Sequence, residues 1–177
     1  MKRQEVLIVD GYNIIGSWPE LDRLKKIDDI QSARDLLLFE LSNYRKYREI
    51  KIIVVFDAQF VPGITQSFEE FDIQVVFTNE GETADSYIER EVKEHINALT
   101  RVVVATSDAA EQWMVFQQGA LRKSAQELKI DIDHTKKQIS NDVRDYYNTL
   151  QRRRSPWKTD DLEQLDFLRH HIDKPKS

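Results

Sequence analysis

The chain has 177 residues, of which 40% are hydrophobic and 32% charged, with a formal charge of -5; this suits one folded domain, two at most, and excludes general disorder. Five glycines and four prolines exclude collagen-like and linker-like chains, and the absence of cysteine removes disulfides, thiolate catalysis and cysteine-bound zinc or iron–sulfur centres. Acidic residues outnumber basic ones by 31 to 26, which argues against a protein that coats bulk nucleic acid but leaves room for a local basic face.

The opening residues 1–13 contain neither a long apolar segment nor a small-residue cleavage site. No apolar run approaches the roughly 20 residues that span a bilayer. The expectation is a cytoplasmic protein with no membrane partner.

In chain order, Val6 to Val9 forms the first strand and ends in Asp10. A helical stripe follows at Ile30, Ala33, Leu37, Leu41 and Tyr44, widened by Leu36. The next strand, Ile52 to Phe56, ends in Asp57, and a third runs from Ile73 to Phe77 into Thr78-Asn79-Glu80-Gly81. Ala84, Ile88, Val92 and Ile96 give a helical face within 82–97. Val102 to Ala105 is the fourth strand, followed by Thr106-Ser107-Asp108 and a helix over 109–118 whose apolar face carries Trp113, Val115 and Phe116. Trp113 is read as core, and Trp18 as a loop aromatic folded back on the core.

The strands are continuous apolar runs, as expected when both faces are covered. Alternation with helices means an α/β fold with right-handed crossovers. After Gly119 the pattern predicts a short helix over 120–128, a short edge strand at Ile130–Asp133 and a helix over 138–150. A basic stretch, Arg152-Arg153-Arg154 with Trp157, and a final helix over 161–172 complete the chain. The organisation expected is one domain, 1–150, with a basic loop and C-terminal helix, 151–177, packed on it.

The carboxylates are informative by position. In an open parallel sheet, ligands bind beyond the carboxyl ends of the strands. Asp10 and Asp57 close strands, Asp108 lies just past another, and Asp85 falls in the first turn of a helix, with Glu80 and Glu82 beside the preceding turn. Each alone could be a helix cap, a turn former or a favourable acid in a first helical turn. Together they predict a shared acidic site, and unpaired carboxylates at close range call for a cation. With oxygen donors and no clustered histidine, the cation expected is Mg²⁺ or Mn²⁺. Such a site suits phosphodiester hydrolysis. GxGxxG, GxxxxGK[ST] and GxSxG patterns are absent, so dinucleotide, P-loop and serine-hydrolase readings have no local support.

Ile8-Val9-Asp10-Gly11-Tyr12-Asn13-Ile14-Ile15 resembles the opening motif of NYN-domain nucleases, a branch of the PIN-like superfamily. Val55-Phe56-Asp57-Ala58, the turn from Gly81 to Ser86, and Thr106-Ser107-Asp108 resemble its later motifs. Taken in order they resemble the bacterial YacP-like group, and within it a ribosome-associated messenger-RNA endonuclease. The resemblance spans Val6 to Leu150 and implies a single PIN-like domain with a central parallel sheet of about five strands. It implies Asp10, Asp85 and Asp108 as the metal-binding and catalytic core, with Asn13 orienting the first aspartate, a water or the substrate phosphate. Glu82 is an outer acidic candidate, Asp57 a supporting or structural one, and Ser107 an organiser of the loop before Asp108. Ala58 stands where relatives commonly have glycine, which bears on the tightness of that turn.

The activity implied is metal-dependent endonucleolytic cleavage of RNA, leaving 5′-phosphate and 3′-hydroxyl ends, with messenger RNA and the translating ribosome as partners and a monomer sufficient for the fold. RNA requires cations at the rim of an acidic site. Arg152, Arg153 and Arg154 beside Trp157 offer guanidinium groups and a stacking ring, and Arg122 and Lys123 extend the basic face. The competing readings are a noncatalytic RNA- or ribosome-binding module and a protein-interaction role.

Overall fold

The computed structural model describes residues 4–57, 67–70 and 72–154. Its elements are β1 (Gln4–Asp10), α1 (Gly11–Ser17), α2 (Pro19–Lys26), α3 (Ile30–Arg48), β2 (Lys51–Phe56), β3 (Ser67–Glu70), β4 (Ile73–Phe77), α4 (Ala84–His95), β5 (Thr100–Ala105), α5 (Ala109–Gln117), β6 (Leu121–Lys123) and α6 (Ala125–Arg154). The chain divides into two compact units, Met1–Lys136 and Lys137–Ser177, and the sheet belongs to the first. In the second unit, the described residues continue α6, on which Val143, Tyr146 and Tyr147 are exposed. Among the described residues, no helix is long and apolar enough to cross a membrane.

The six strands run in the order β3-β4-β2-β1-β5-β6. β1 pairs in parallel with β2 and β5, β2 with β4, and β5 with β6. These are the five parallel strands of the expected α/β fold, and β3 adds an antiparallel edge against β4. The continuous apolar runs fall in β1, β2, β4 and β5, which are packed on both sides. Leu7 and Val9 enter one core with Ile14, Trp18, Leu37, Leu41 and Leu128, whereas Val6 and Ile8 enter the other with Ile88, Val92 and Val115. Thus α1, α2, α3 and the start of α6 cover one face, and α4 and α5 the other.

The stretch after Gly119 differs from its sequence reading. Leu121–Lys123 is a strand, not part of a helix over 120–128, because its backbone pairs with Val103–Ala105 at the sheet edge. Pairing at an open edge outweighs the local helical pattern. Gly119 turns the chain with φ +90, and Ser124 then opens α6 through a capping box. The Ser124 hydroxyl accepts from Glu127 N–H at 3.1 Å, and the Glu127 carboxylate accepts from Ser124 N–H at 2.7 Å. Ile130–Asp133 therefore lies inside α6 and not in an edge strand. Ala125, Leu128, Ile132 and Thr135 share its buried stripe, and Ile130 points outward. The helix expected over 138–150 is part of α6, and that over 161–172 lies outside the described residues.

Trp18 is buried as expected, its indole N–H donating to the Ala125 carbonyl at 2.8 Å. Trp113 is not core. The stripe of α5 that faces the protein pairs Val115 with Glu111, four residues earlier, which rotates Trp113 and Phe116 into solvent.

Gly11 starts α1 because nothing larger fits. A Cβ there would lie 2.2 Å from Phe56 Cε1 and 2.5 Å from Cδ1. Phe56 cannot yield, being fully buried between Tyr12 (ring centroids 5.0 Å) and Phe77 (5.4 Å). Gly11→Ala is expected to cost about 1–3 kcal/mol by overpacking and to lower Tm by roughly 2–10 °C. An unchanged melting curve would contradict this contact.

Candidate metal centre

From β1 the chain passes to β2 and β4 on one side and to β5 and β6 on the other. The crevice beyond the carboxyl ends of β1 and β5 is therefore the topological switch point, where open α/β sheets place ligands. Asp10 is the last residue of β1 and also the N-cap of α1, its carboxylate accepting from Asn13 N–H at 3.3 Å. Asp85 stands in the first turn of α4, after the Gly81 turn (φ +86) and the cap at Thr83, whose hydroxyl accepts from Ser86 N–H at 3.2 Å. Glu111 is in the first turn of α5. Carboxylate oxygens of Asp10, Asp85 and Glu111 all lie within 4.8 Å of one another.

Sequence reasoning placed Asp108 in this group and overlooked Glu111. Asp108 is the N-cap of α5, its Oδ1 accepting from Ala110 N–H at 2.8 Å and Glu111 N–H at 3.3 Å. It thereby sets the helix that carries Glu111 into the site, and its charge still acts on the other acids. The missed signal was the spacing of Glu111 and Val115 on one helical face. An acid in a first turn reads as an ordinary partner of the helix dipole, so sequence alone did not separate the two roles.

Burial is the leading electrostatic effect. Glu111 is 3% exposed, and among the described residues neither of its carboxylate oxygens has a hydrogen-bond partner at bonding geometry. Lost hydration pushes its carboxyl up to about 8; the nearby Thr106 hydroxyl offsets this in part, and the charges of Asp10, Asp85 and Asp108 add to it. Burial raises Asp10 to about 6, against the lowering effect of Asn13 N–H and with reinforcement from Asp85, Asp108 and Asp57. Asp85 is raised too, first by burial and then by Asp108 and Asp57. A cation at the shared oxygens would relieve both repulsion and desolvation. The donor set is entirely oxygen, which fits a hard divalent cation.

The remaining predicted residues fall into two sets. Near the centre, Asn13 Oδ1 accepts from Ser107 N–H at 2.7 Å, tying α1 to the loop between β5 and α5. Ser107 Oγ accepts from Ala125 N–H at 3.2 Å, which ties the loop to α6 as well, and Thr106 Oγ1 accepts from Asp108 N–H at 3.1 Å, which braces the loop internally. Asp57 follows β2, close enough to raise Asp10 and Asp85. Tyr12 packs on Phe56, and its hydroxyl accepts from Arg34 Nη1 at 3.1 Å.

Glu82 is instead taken up by Arg90, and it accepts from Asn79 Nδ2 at 3.3 Å. Arg122 Nη1 donates to Gln112 Oε1 at 3.1 Å, and Lys123 is paired with Asp131 at 2.5 Å. Arg152, Arg153 and Arg154 close α6 and do not open a loop. Their side chains, together with Ala58 and Trp157, lie outside the described residues.

Comparison with known proteins agrees with this fold. The YacP-like NYN domain family matches residues 7–170. The chain is 44% identical over 140 residues to YacP of Bacillus subtilis (strain 168), covering 79% of this chain and 82% of that one. It is similar to the crystal structure of Rae1 (YacP) from Bacillus subtilis, with a TM-score of 0.72 and 37% identity, covering 97% of this chain and 99% of that one. A crystal structure of a point mutant of the same protein gives a TM-score of 0.73 at 41% identity, covering 82% and 85%. Motifs, fold and relatives agree: the chain belongs to the YacP-like NYN domain family.

Proposed function

We propose that this chain is a metal-dependent endoribonuclease that hydrolyses phosphodiester bonds in messenger RNA in association with the translating ribosome. The observation that carries the reading is the convergence of Asp10, Asp85 and Glu111 within 4.8 Å at the switch point of the sheet. The nuclease-like fold of the NYN family supports an RNA-related nuclease role. The messenger and ribosomal parts of the reading rest on the resemblance of the motifs, and they put the protein to work in the cytoplasm. All three carboxylates come from one chain, so the reading requires only a monomer.

Bound Mg²⁺ or Mn²⁺ would supply Lewis acidity toward the phosphate and activation of a water. The chain's own residues do the positioning. Asp10, Asp85 and Glu111 present the oxygens, with Glu111 giving up its proton to do so. Asp108 fixes the first turn of α5 by capping it, and Asn13 fixes the loop before Asp108 against α1. No side chain is required as a covalent nucleophile.

The test is cleavage by purified protein with Mn²⁺ or Mg²⁺, on free single-stranded RNA and on translating ribosomes. Products bearing 5′-phosphate and 3′-hydroxyl ends are expected, with more cleavage of the ribosome-bound message. RNA bound but uncut in both settings would replace this reading with a noncatalytic RNA- or ribosome-binding module.

A further inference from the structure

Trp113 and Phe116 are 63% and 55% exposed, on a helix whose opposite side is buried. Their rings stand together, centroids 6.3 Å apart and planes inclined by 28°. Two adjacent aromatic faces held on a rigid helix form a surface that water does not solvate well. By itself such a surface would suit a protein partner as well as a nucleic acid. Its surroundings favour the nucleic acid.

The first of these is position. α5 is the helix capped by Asp108 and bearing Glu111 in its first turn. At 1.5 Å per residue, Trp113 and Phe116 lie about 8 Å and about 12 Å along the axis from that cap. Both rings face away from Glu111, across a helix about 10–12 Å wide with its side chains. A chain held at the carboxylate group would reach them by rounding the first turn of α5, several nucleotides on.

The second is charge. Arg122, on β6, donates to the Gln112 amide at 3.1 Å, and Gln112 in turn donates to the Thr106 carbonyl at 2.7 Å. The guanidinium is thus oriented by a neutral group anchored in the site loop. Among the described residues Arg122 makes no ion pair, and Glu127, the acid that senses its charge, accepts from Ser124 N–H. Gln112 and Phe116 are one turn apart on the same face, so the cation flanks the ring pair. A fixed guanidinium beside exposed aromatic faces is the combination that binds a phosphate chain while its unpaired bases stack.

We infer that Trp113 and Phe116 form a stacking platform for unpaired bases of single-stranded RNA, with Arg122 as its phosphate contact, on the outer face of the helix that carries Glu111. The inference rests on the proposed RNA reading and adds the path the strand takes away from the site. It requires no base-specific hydrogen bond, so it predicts affinity for single strands with little sequence preference.

The test is binding of a fluorescein-labelled single-stranded uridine oligonucleotide to full-length protein carrying Asp85→Asn, so that cleavage does not interfere. Adding Trp113→Ala with Phe116→Ala is expected to weaken binding by roughly tenfold or more, the loss typical of one stacked base or more. Trp113→Tyr, which keeps a stacking face, should bind within about twofold of the parent. Trp113→Leu, which keeps apolar bulk without a π face, should bind as weakly as Trp113→Ala.

Unchanged binding by the double variant would overturn the platform, as would equal rescue by leucine and tyrosine. Loss of ribosome association by the double variant with oligonucleotide binding intact would also overturn it, and would assign the surface to a docking contact on the ribosome instead. Failure of the Asp85→Asn parent to bind the oligonucleotide would also overturn it. The nuclease reading is judged separately, by cleavage with the unmodified chain.

Discussion

Asp85→Asn and Asp10→Asn are each expected to reduce RNA cleavage by at least about a thousandfold while leaving the protein folded. The reaction develops negative charge at phosphorus and at the leaving oxygen, and the stabilisation available from a held cation is several kcal/mol; each 1.36 kcal/mol is tenfold in rate. Asparagine keeps the shape and an acceptor oxygen but removes the charge that holds the cation. In Asp10→Asn that oxygen can still accept from Asn13 N–H, so α1 keeps its cap.

The same substitution has an opposite effect on stability. Asp10 rises from 3.8 to about 6 on folding, chiefly because it is buried. Between those values the folded state holds a proton that the unfolded chain has lost, so stability falls as pH rises through that window. Above about 6 the ionised carboxylate is a standing penalty in the metal-free protein. Asp10→Asn removes it, so metal-free Tm should rise at pH 8 and change little at pH 4. Loss of activity together with gain of stability marks a residue retained for chemistry. A variant that loses both would make Asp10 chiefly a cap.

Glu111→Gln is expected to weaken Mn²⁺ binding by at least about 10- to 100-fold, the loss already typical of removing a group that only supports a ligand, and to remove most of its pH dependence. With its carboxyl pushed up to about 8, Glu111 is mostly protonated at neutral pH in the metal-free protein. Taking up a dication therefore requires release of that proton, and affinity should climb with pH up to about 8. Calorimetry in buffers of different ionisation enthalpy would count the protons released near pH 7. The unmodified chain should release one more than Glu111→Gln.

Stability has the sign found for Asp10, over a wider window. Metal-free protein should lose stability as pH rises from about 4.5 to about 8, and Glu111→Gln should flatten that slope. Equal Mn²⁺ affinity in the two proteins would show that Glu111 is a buried acid without a ligand role.

The parallel strands β1, β2, β4 and β5 were legible in the sequence because each is a continuous apolar run buried on both sides, and a pattern that strong survives without tertiary information. β6 was not, since Leu121–Lys123 is short and becomes a strand only through pairing with Val103–Ala105. Ile130–Asp133 misled in the opposite direction. Its alternation fits a strand, but the box at Ser124 and Glu127 has already committed the chain to helix.

The carboxylates were partly legible. Strand ends put Asp10 and Asp57 at the right edge of the sheet, and the motif spacing put Asp85 there too. Asp108 and Glu111 share one helical turn, and nothing in their order says which carboxylate caps the helix and which turns inward. Trp113 was misread for the same reason, since the buried stripe of α5 runs through a carboxylate and was not visible as apolar periodicity.

The central claim is that the group at Asp10, Asp85 and Glu111 takes up a divalent cation and that RNA cleavage depends on it. The most direct measurement is a Mn²⁺ titration of metal-stripped protein, following binding and cleavage of one RNA substrate in parallel, for the unmodified chain and Asp10→Asn. Binding and cleavage should saturate over the same Mn²⁺ range, and both should be lost in the variant. Cleavage that persists in chelator, or that survives in Asp10→Asn at full rate, would contradict the account.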